Sequence, residues 1–130
     1  MGARKSGWLD LQRLRALVVE DGWQVADALK LSLEQAGMVV AGPVATAREA
    51  QCLAKACDPD LAIVDVNLKG EMAYELMDWL HDRGVRVVVI SGYEDLPASL
   101  GKFAAILRKP FSATTLLKTL ARVMGRRPAH

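Results

Sequence analysis

Short runs of apolar residues alternate with amphipathic stretches from one end of this chain to the other. Most of these runs are hydrophobic on successive residues rather than on alternate ones, which is typical of parallel strands covered on both faces. They predict five strands, over Leu14–Val19, Met38–Ala41, Leu61–Val64, Val85–Ile90 and Ala104–Leu107.

The stretches between the strands have helical spacing and recognisable helix ends. Thr46-Ala47-Arg48-Glu49 forms a capping box before the second helix, and Ser112 caps the last one. The first helix is predicted to present one face made of Val25, Ala28, Leu29, Ser32 and Ala36. The third helix is predicted from Met72, Leu76 and Leu80, and Gly84 stops it.

This pattern is a β-α unit repeated five times, which predicts an α/β, doubly wound parallel sheet with right-handed crossovers. We expect a single domain over residues 13–125, with an N-terminal extension over 1–12 and a C-terminal tail over 126–130. The segment between Ser91 and Ala104 contains Gly92, Pro97 and Gly101. Its helix must therefore be short or irregular.

Composition limits the function classes. The chain has 130 residues, 52% hydrophobic and 25% charged, which is typical of one globular domain. A basic start followed by a segment broken by polar residues excludes a normal signal peptide, so we expect a cytoplasmic protein. A net charge of +2 gives no reason to expect a nucleic-acid or membrane partner. Cys52 and Cys57 fit neither a disulfide framework nor a metal site, and we expect one exposed thiol and one buried.

Charged and polar residues follow the predicted strands at their carboxyl ends. Glu20-Asp21 follows the first strand, Asp65 the third, Ser91 the fourth and Lys109-Pro110 the fifth. In a parallel sheet these positions share one edge, where ligands collect. Three clustered carboxylates raise one another's pKa unless a cation lies among them, and such oxygen ligands suit Mg²⁺.

This arrangement suggests a reaction at Asp65. Its carboxylate would act as a nucleophile and form an aspartyl phosphate. Mg²⁺, the Lys109 ammonium and the Ser91 hydroxyl would neutralise charge on the phosphoryl oxygens.

The motifs around these residues carry a family resemblance. They are Val18-Val19-Glu20-Asp21, Ala62-Ile63-Val64-Asp65-Val66-Asn67, Val89-Ile90-Ser91-Gly92 and Leu107-Arg108-Lys109-Pro110-Phe111. Over about residues 13 to 125 the chain resembles a response-regulator receiver domain of two-component signalling. That resemblance implies a flavodoxin-like strand order 2-1-3-4-5. It also implies phosphorylation of Asp65 by a histidine kinase or histidine phosphotransfer protein.

The resemblance also implies roles for the residues of the site. Asp21 and Asp65 would bind Mg²⁺ directly, with the backbone carbonyl of Asn67 as a further ligand. Glu20 would act mainly through metal-bound water.

Other implied roles concern the phosphoryl group and the switch. Lys109 would pair with the phosphoryl group, and Gly92 would leave room for it to enter. Receivers usually carry an aromatic residue on the fifth strand, where this chain has Ile106. The Ser-Gly-Tyr run and the shortened fourth helix resemble a bacterial receiver subgroup. Tyr93 is therefore a candidate to replace part of the aromatic's role and to shield an acyl phosphate from water.

Two other functions compete with this one. A haloacid-dehalogenase-type phosphatase normally needs a second acid two residues after its nucleophile, where this chain has Asn67. A docking module that has lost phosphorylation is disfavoured by the intact acidic set. We expect output by contact with a downstream protein, or by onward phosphotransfer, and a homodimer is one form that contact could take. The chain would be a stand-alone receiver or one cut from a longer protein such as a hybrid kinase.

Overall fold

The computed structural model describes residues 10–92 and 96–125. Its strands are β1 (Arg15–Val19), β2 (Val39–Val44), β3 (Leu61–Asp65), β4 (Asn67–Leu68), β5 (Glu71–Met72), β6 (Arg86–Ser91) and β7 (Ala105–Arg108). Its α-helices are α1 (Trp23–Gln35), α2 (Ala47–Cys57), α3 (Tyr74–Asp82) and α4 (Ala113–Met124), and a 3-10 helix spans Ala98–Lys102.

Five strands form one parallel sheet in the order β2-β1-β3-β6-β7. Counted along the chain, this is the predicted order 2-1-3-4-5, so the flavodoxin-like, doubly wound fold is confirmed. The sequence did not predict β4 and β5, which pair antiparallel as a separate small hairpin. Each of the five predicted strands is present, and no end differs from the prediction by more than three residues.

The core lies on both faces of the sheet. Leu17 and Val19 of β1 pack in the cluster under α2 and α3, whereas Ala16 and Val18 pack in the cluster under α1 and α4. All four side chains are fully buried. Burial on both faces explains why β1 is apolar on successive positions. Leu11, from the predicted N-terminal extension, is also fully buried in the second cluster.

The predicted helix caps are confirmed. The Thr46 hydroxyl accepts a hydrogen bond from the Glu49 amide at 3.1 Å, and the Glu49 carboxylate accepts from the Ala45 amide at 3.2 Å. The Ser112 hydroxyl accepts from the Thr115 amide at 3.0 Å. The two hydroxyls satisfy free amides in the first turns of α2 and α4, while Glu49 binds the amide of the residue before the Thr46 cap.

Two details of the helix predictions are wrong. The buried face of α1 consists of Ala26, Leu29, Leu33 and Ala36, while Ala28 is exposed. Both sets have helical spacing, so periodicity alone cannot choose between them. Met72 lies in β5 and is 48% exposed, because the β4–β5 hairpin delays the start of α3 until Tyr74.

Cys52 is exposed as expected, but Cys57 is only partly buried.

The segment before β7 has the irregular form that its sequence predicts. A 3-10 helix stands where a longer helix would cover the sheet, and Ile106 on β7 is 38% exposed. Tyr93 lies outside the described residues. None of the helices that the structure describes is long and apolar enough to cross a membrane.

Candidate phosphoryl-acceptor site

The carboxyl ends of three strands bring the predicted acidic residues and the lysine together. Glu20 and Asp21 follow β1, Asp65 is the last residue of β3, and Lys109 follows β7. One carboxylate oxygen from each of the three acidic residues lies within 4.8 Å of the other two. The site lies where β1 and β3 adjoin, at the switch point of the doubly wound sheet.

The Asp65 carboxylate is buried, with only 5% of the residue exposed. Lys109 Nζ donates a hydrogen bond to Oδ2 at 3.0 Å, and the Asn67 backbone amide donates to Oδ1 at 3.1 Å. The Val66 amide donates to the Ile90 carbonyl at 3.0 Å, which ties the chain after Asp65 to β6. Both carboxylate oxygens are therefore held in a fixed orientation.

The Glu20 carboxylate lies on the other side of Lys109. Its Oε2 accepts a hydrogen bond from the Gly22 amide at 3.1 Å. Lys109 Nζ lies 3.3 Å from Oε1 and 3.4 Å from Oε2. Oε1 is buried and accepts no hydrogen bond from any residue that the structure describes.

Burial and charge shift the pKa values of this cluster. Burial raises the pKa of Glu20, and the negative charge of Asp65 adds to the rise, against the Gly22 amide and Lys109. Partial burial alone would lower the pKa of Lys109, but its contacts with Asp65 and Glu20 outweigh that effect and raise it. Lys109 therefore stays protonated, one cation beside three acidic residues.

The residues present fit a magnesium ion. The three converging side chains offer only oxygen atoms, which are the ligands that Mg²⁺ prefers. The buried Glu20 Oε1 has the Lys109 ammonium 3.3 Å away but accepts no hydrogen bond from the described residues, so a metal-bound water could still supply that contact.

A two-residue turn shapes the loop after Asp65. Lys69 and Gly70 both have positive φ angles, and the Asn67 side-chain Oδ1 accepts from the Gly70 amide at 2.8 Å. This turn joins β4 to β5 and fixes Asn67 beside the carboxylates. The glycine of the Lys69-Gly70 pair was the available sequence signal for this turn.

The remaining predicted site residues occupy the ends of β6 and β7. Ser91 is fully buried at the end of β6, and its carbonyl accepts from the Lys109 amide at 2.8 Å. Gly92 is exposed, and a Cβ atom added there would meet nothing within 4 Å. Ile106 pairs with Val89 inside the sheet.

Two residues beside the site were not predicted. Gly22 donates its amide to Glu20, and Trp23, the first residue of α1, is 71% exposed. A glycine between an acidic pair and a helix was the only sequence signal for the first. An exposed tryptophan cannot be recognised from sequence alone, because exposure depends on the packing of α1.

Fold and site define an α/β domain of the flavodoxin type with an acidic, lysine-containing pocket at its switch point. The family model for the response regulator receiver domain matches residues 16–121 of this chain. Since the match covers most of the chain, the protein belongs to the response regulator receiver domain family.

Solved receiver domains are similar in fold and sequence. The receiver domain of a modulated diguanylate cyclase from Desulfovibrio desulfuricans G20 has 28% identity and a TM-score of 0.78, over 87% of this chain and 94% of that one. The receiver domain of a LuxO repressor protein from Vibrio parahaemolyticus has 26% identity and a TM-score of 0.77, over 86% and 90%. The chemotaxis regulator CheY4 of Vibrio cholerae has 26% identity and a TM-score of 0.76, over 86% and 99%. No curated protein sequence gave a match.

Proposed function

We propose that this receiver domain accepts a phosphoryl group on Asp65 from the phosphohistidine of a histidine kinase or histidine phosphotransfer protein. The observation that carries the proposal is the Asp65 carboxylate, buried and held between Lys109 Nζ and the Asn67 amide beside two further acidic residues. A buried carboxylate with a fixed orientation and a cation at hand has the form of a positioned nucleophile.

The transfer is a displacement at phosphorus. An Asp65 oxygen forms the new P–O bond as the P–N bond to the donor imidazole breaks, and the released imidazole nitrogen keeps the electron pair or takes a proton from solvent. Lys109 already contacts Asp65 Oδ2 and is placed to pair with the transferred group. At the end of β6, the Ser91 hydroxyl would donate a hydrogen bond to a phosphoryl oxygen. Gly92 would leave open space for the group to enter.

Asp21, Asp65 and the Asn67 backbone carbonyl would hold Mg²⁺ directly, with Glu20 acting through a metal-bound water. When bound, Mg²⁺ supplies positive charge for the phosphoryl oxygens. The chain's own contribution is to converge these oxygens and to keep the Lys109 ammonium beside them.

The proposed role is signalling rather than substrate turnover. Output would pass by contact with a downstream protein, or within a homodimer, at the surface around the 3-10 helix, β7 and α4. Ile106 lies on that surface and is partly exposed, so the aromatic switch that most receivers use is replaced by another device. We propose Tyr93 for part of that role, and Tyr93→Ala should then shorten the lifetime of the phosphorylated protein.

The proposal is tested by labelling. With Mg²⁺ and acetyl phosphate, the wild-type protein should gain one base-labile phosphoryl group, and Asp65→Asn should abolish the gain. Asp82→Asn, an exposed aspartate at the end of α3, is the matched control and should label like the wild type. Labelling that persists in Asp65→Asn would contradict the assignment.

A further inference from the structure

Glu20 turns its carboxylate back toward the loop that enters α1. Only 4% of the residue is exposed, and Oε2 accepts the Gly22 amide at 3.1 Å. A Cβ atom added at Gly22 would also lie 3.1 Å from Oε2, closer than an ordinary van der Waals contact. The folded-back carboxylate therefore occupies space that any side chain at position 22 would need.

The backbone does not explain the glycine. Gly22 has φ −83° and ψ 109°, an extended conformation that every residue type adopts. Gly22 is also the N-cap of α1, and no side chain caps that end. Serine, aspartate or asparagine would cap a helix at least as well, so capping does not require glycine. The remaining requirement is the space beside Glu20.

We propose that Gly22 is a positioning residue for the metal site, leaving room for Glu20 to fold back so that its buried Oε1 faces the cluster without a hydrogen-bond partner. The inference rests on the proposed Mg²⁺ site and names a residue that acts on it through Glu20. Oε2 accepts from the Gly22 amide, whereas Oε1 has only the Lys109 ammonium at 3.3 Å and no hydrogen bond, so Oε1 is the oxygen available to a metal-bound water.

A side chain at position 22 would change this arrangement. The Glu20 carboxylate cannot simply move away, because Lys109 Nζ lies 3.3 Å and 3.4 Å from its two oxygens and the residue is buried. Displacement by a few tenths of an ångström would redirect Oε1. Binding sites also hold their groups to about 10–20° in orientation, so a carboxylate that turns to avoid the new Cβ atom would direct Oε1 less well.

The test is the affinity of the protein for Mg²⁺ alone. Binding is monitored through the amide chemical shift of Asn67, on the far side of the site. Gly22→Ala should raise the dissociation constant on the order of tenfold. Gly22→Ser places the same Cβ while supplying a capping hydroxyl, so it should also weaken binding if crowding is the cause. Gly101→Ala is the matched control, because a Cβ there meets nothing within 4 Å. Thermal unfolding in EDTA confirms that each variant is folded.

A double-mutant cycle with Glu20→Gln locates the effect. If Gly22 acts through Glu20, Gly22→Ala should weaken Mg²⁺ binding much less when Glu20→Gln is already present. Equal loss in both backgrounds, or unchanged affinity in both Gly22 variants, would overturn the inference and leave the proposed function standing. Absence of Mg²⁺ binding by the wild type would instead contradict the proposed function, and the inference with it.

Discussion

At the scale of single residues, Lys109 is the one cation that contacts both Asp65 and Glu20 among the described residues. Lys109→Met leaves the three acidic side chains without that counter-ion, which should lower the free energy of unfolding in EDTA by about 2 kcal/mol. It should also tighten Mg²⁺ binding, because the ammonium no longer competes for the same oxygens. Chemical denaturation with and without Mg²⁺ measures both effects. A variant that binds Mg²⁺ more weakly than the wild type would contradict this account of Lys109.

Glu20 gives a prediction with a definite pH dependence. Its pKa is raised in the folded state, so the stability contributed by the protonated carboxyl is present below the ordinary value of 4.5 and is lost as the pH rises through the folded-state pKa. Glu20→Gln mimics the neutral form. In EDTA at pH 7 it should unfold at a higher temperature than the wild type, with the difference shrinking near pH 4. A lower unfolding temperature at pH 7 would show that the charge stabilises the metal-free fold.

Sequence located the principal site residues because the rule involved is topological. Asp65 ends one parallel strand and Lys109 follows another, so both must reach the same edge of the sheet whatever their rotamers. The contact between Gly22 and Glu20 depends on one side-chain conformation, which no spacing rule specifies.

At the scale of elements, the Thr46 cap is the clearest local determinant of α2. Thr46→Ala removes the acceptor for the Glu49 amide and should lower the free energy of unfolding by about 1 kcal/mol. Thr114→Ala, at an exposed position in the first turn of α4, is the matched control and should change stability little. Equal losses in the two variants would show that the capping box contributes nothing specific.

Sequence succeeded with elements whose signals are local. The capping box and Ser112 were recognised because each cap uses residues three apart in the chain. The face of α1 was misplaced because two helical patterns overlap there, and only packing on the sheet selects Leu33 over Ala28. The β4–β5 hairpin was missed because two-residue strands are too short to show a hydrophobic period.

At the scale of the whole molecule, the metal site is coupled to folding. A ligand that binds only the folded state stabilises it by about 2.7 kcal/mol at one hundred times its dissociation constant. Saturating Mg²⁺ should therefore raise the unfolding temperature of the wild type, and Asp21→Asn should remove most of that rise. Thermal scans over a Mg²⁺ series measure it. An equal rise in Asp21→Asn would place the bound ion elsewhere.

The strand order was also predictable at this scale, because right-handed crossovers and the family resemblance leave one arrangement. The packing near β7 was predictable only in part. Gly92, Pro97 and Gly101 indicated an irregular segment, but the partial exposure of Ile106 follows from how little the 3-10 helix covers.

The central claim is that the phosphoryl group is carried by Asp65. The most direct measurement is borohydride reduction after incubation with acetyl phosphate and Mg²⁺, followed by peptide mass spectrometry, because reduction converts an aspartyl phosphate to homoserine. The account predicts homoserine at position 65, dependent on both Mg²⁺ and acetyl phosphate. Homoserine at another aspartate, or at none while the protein is folded and binds Mg²⁺, would contradict it.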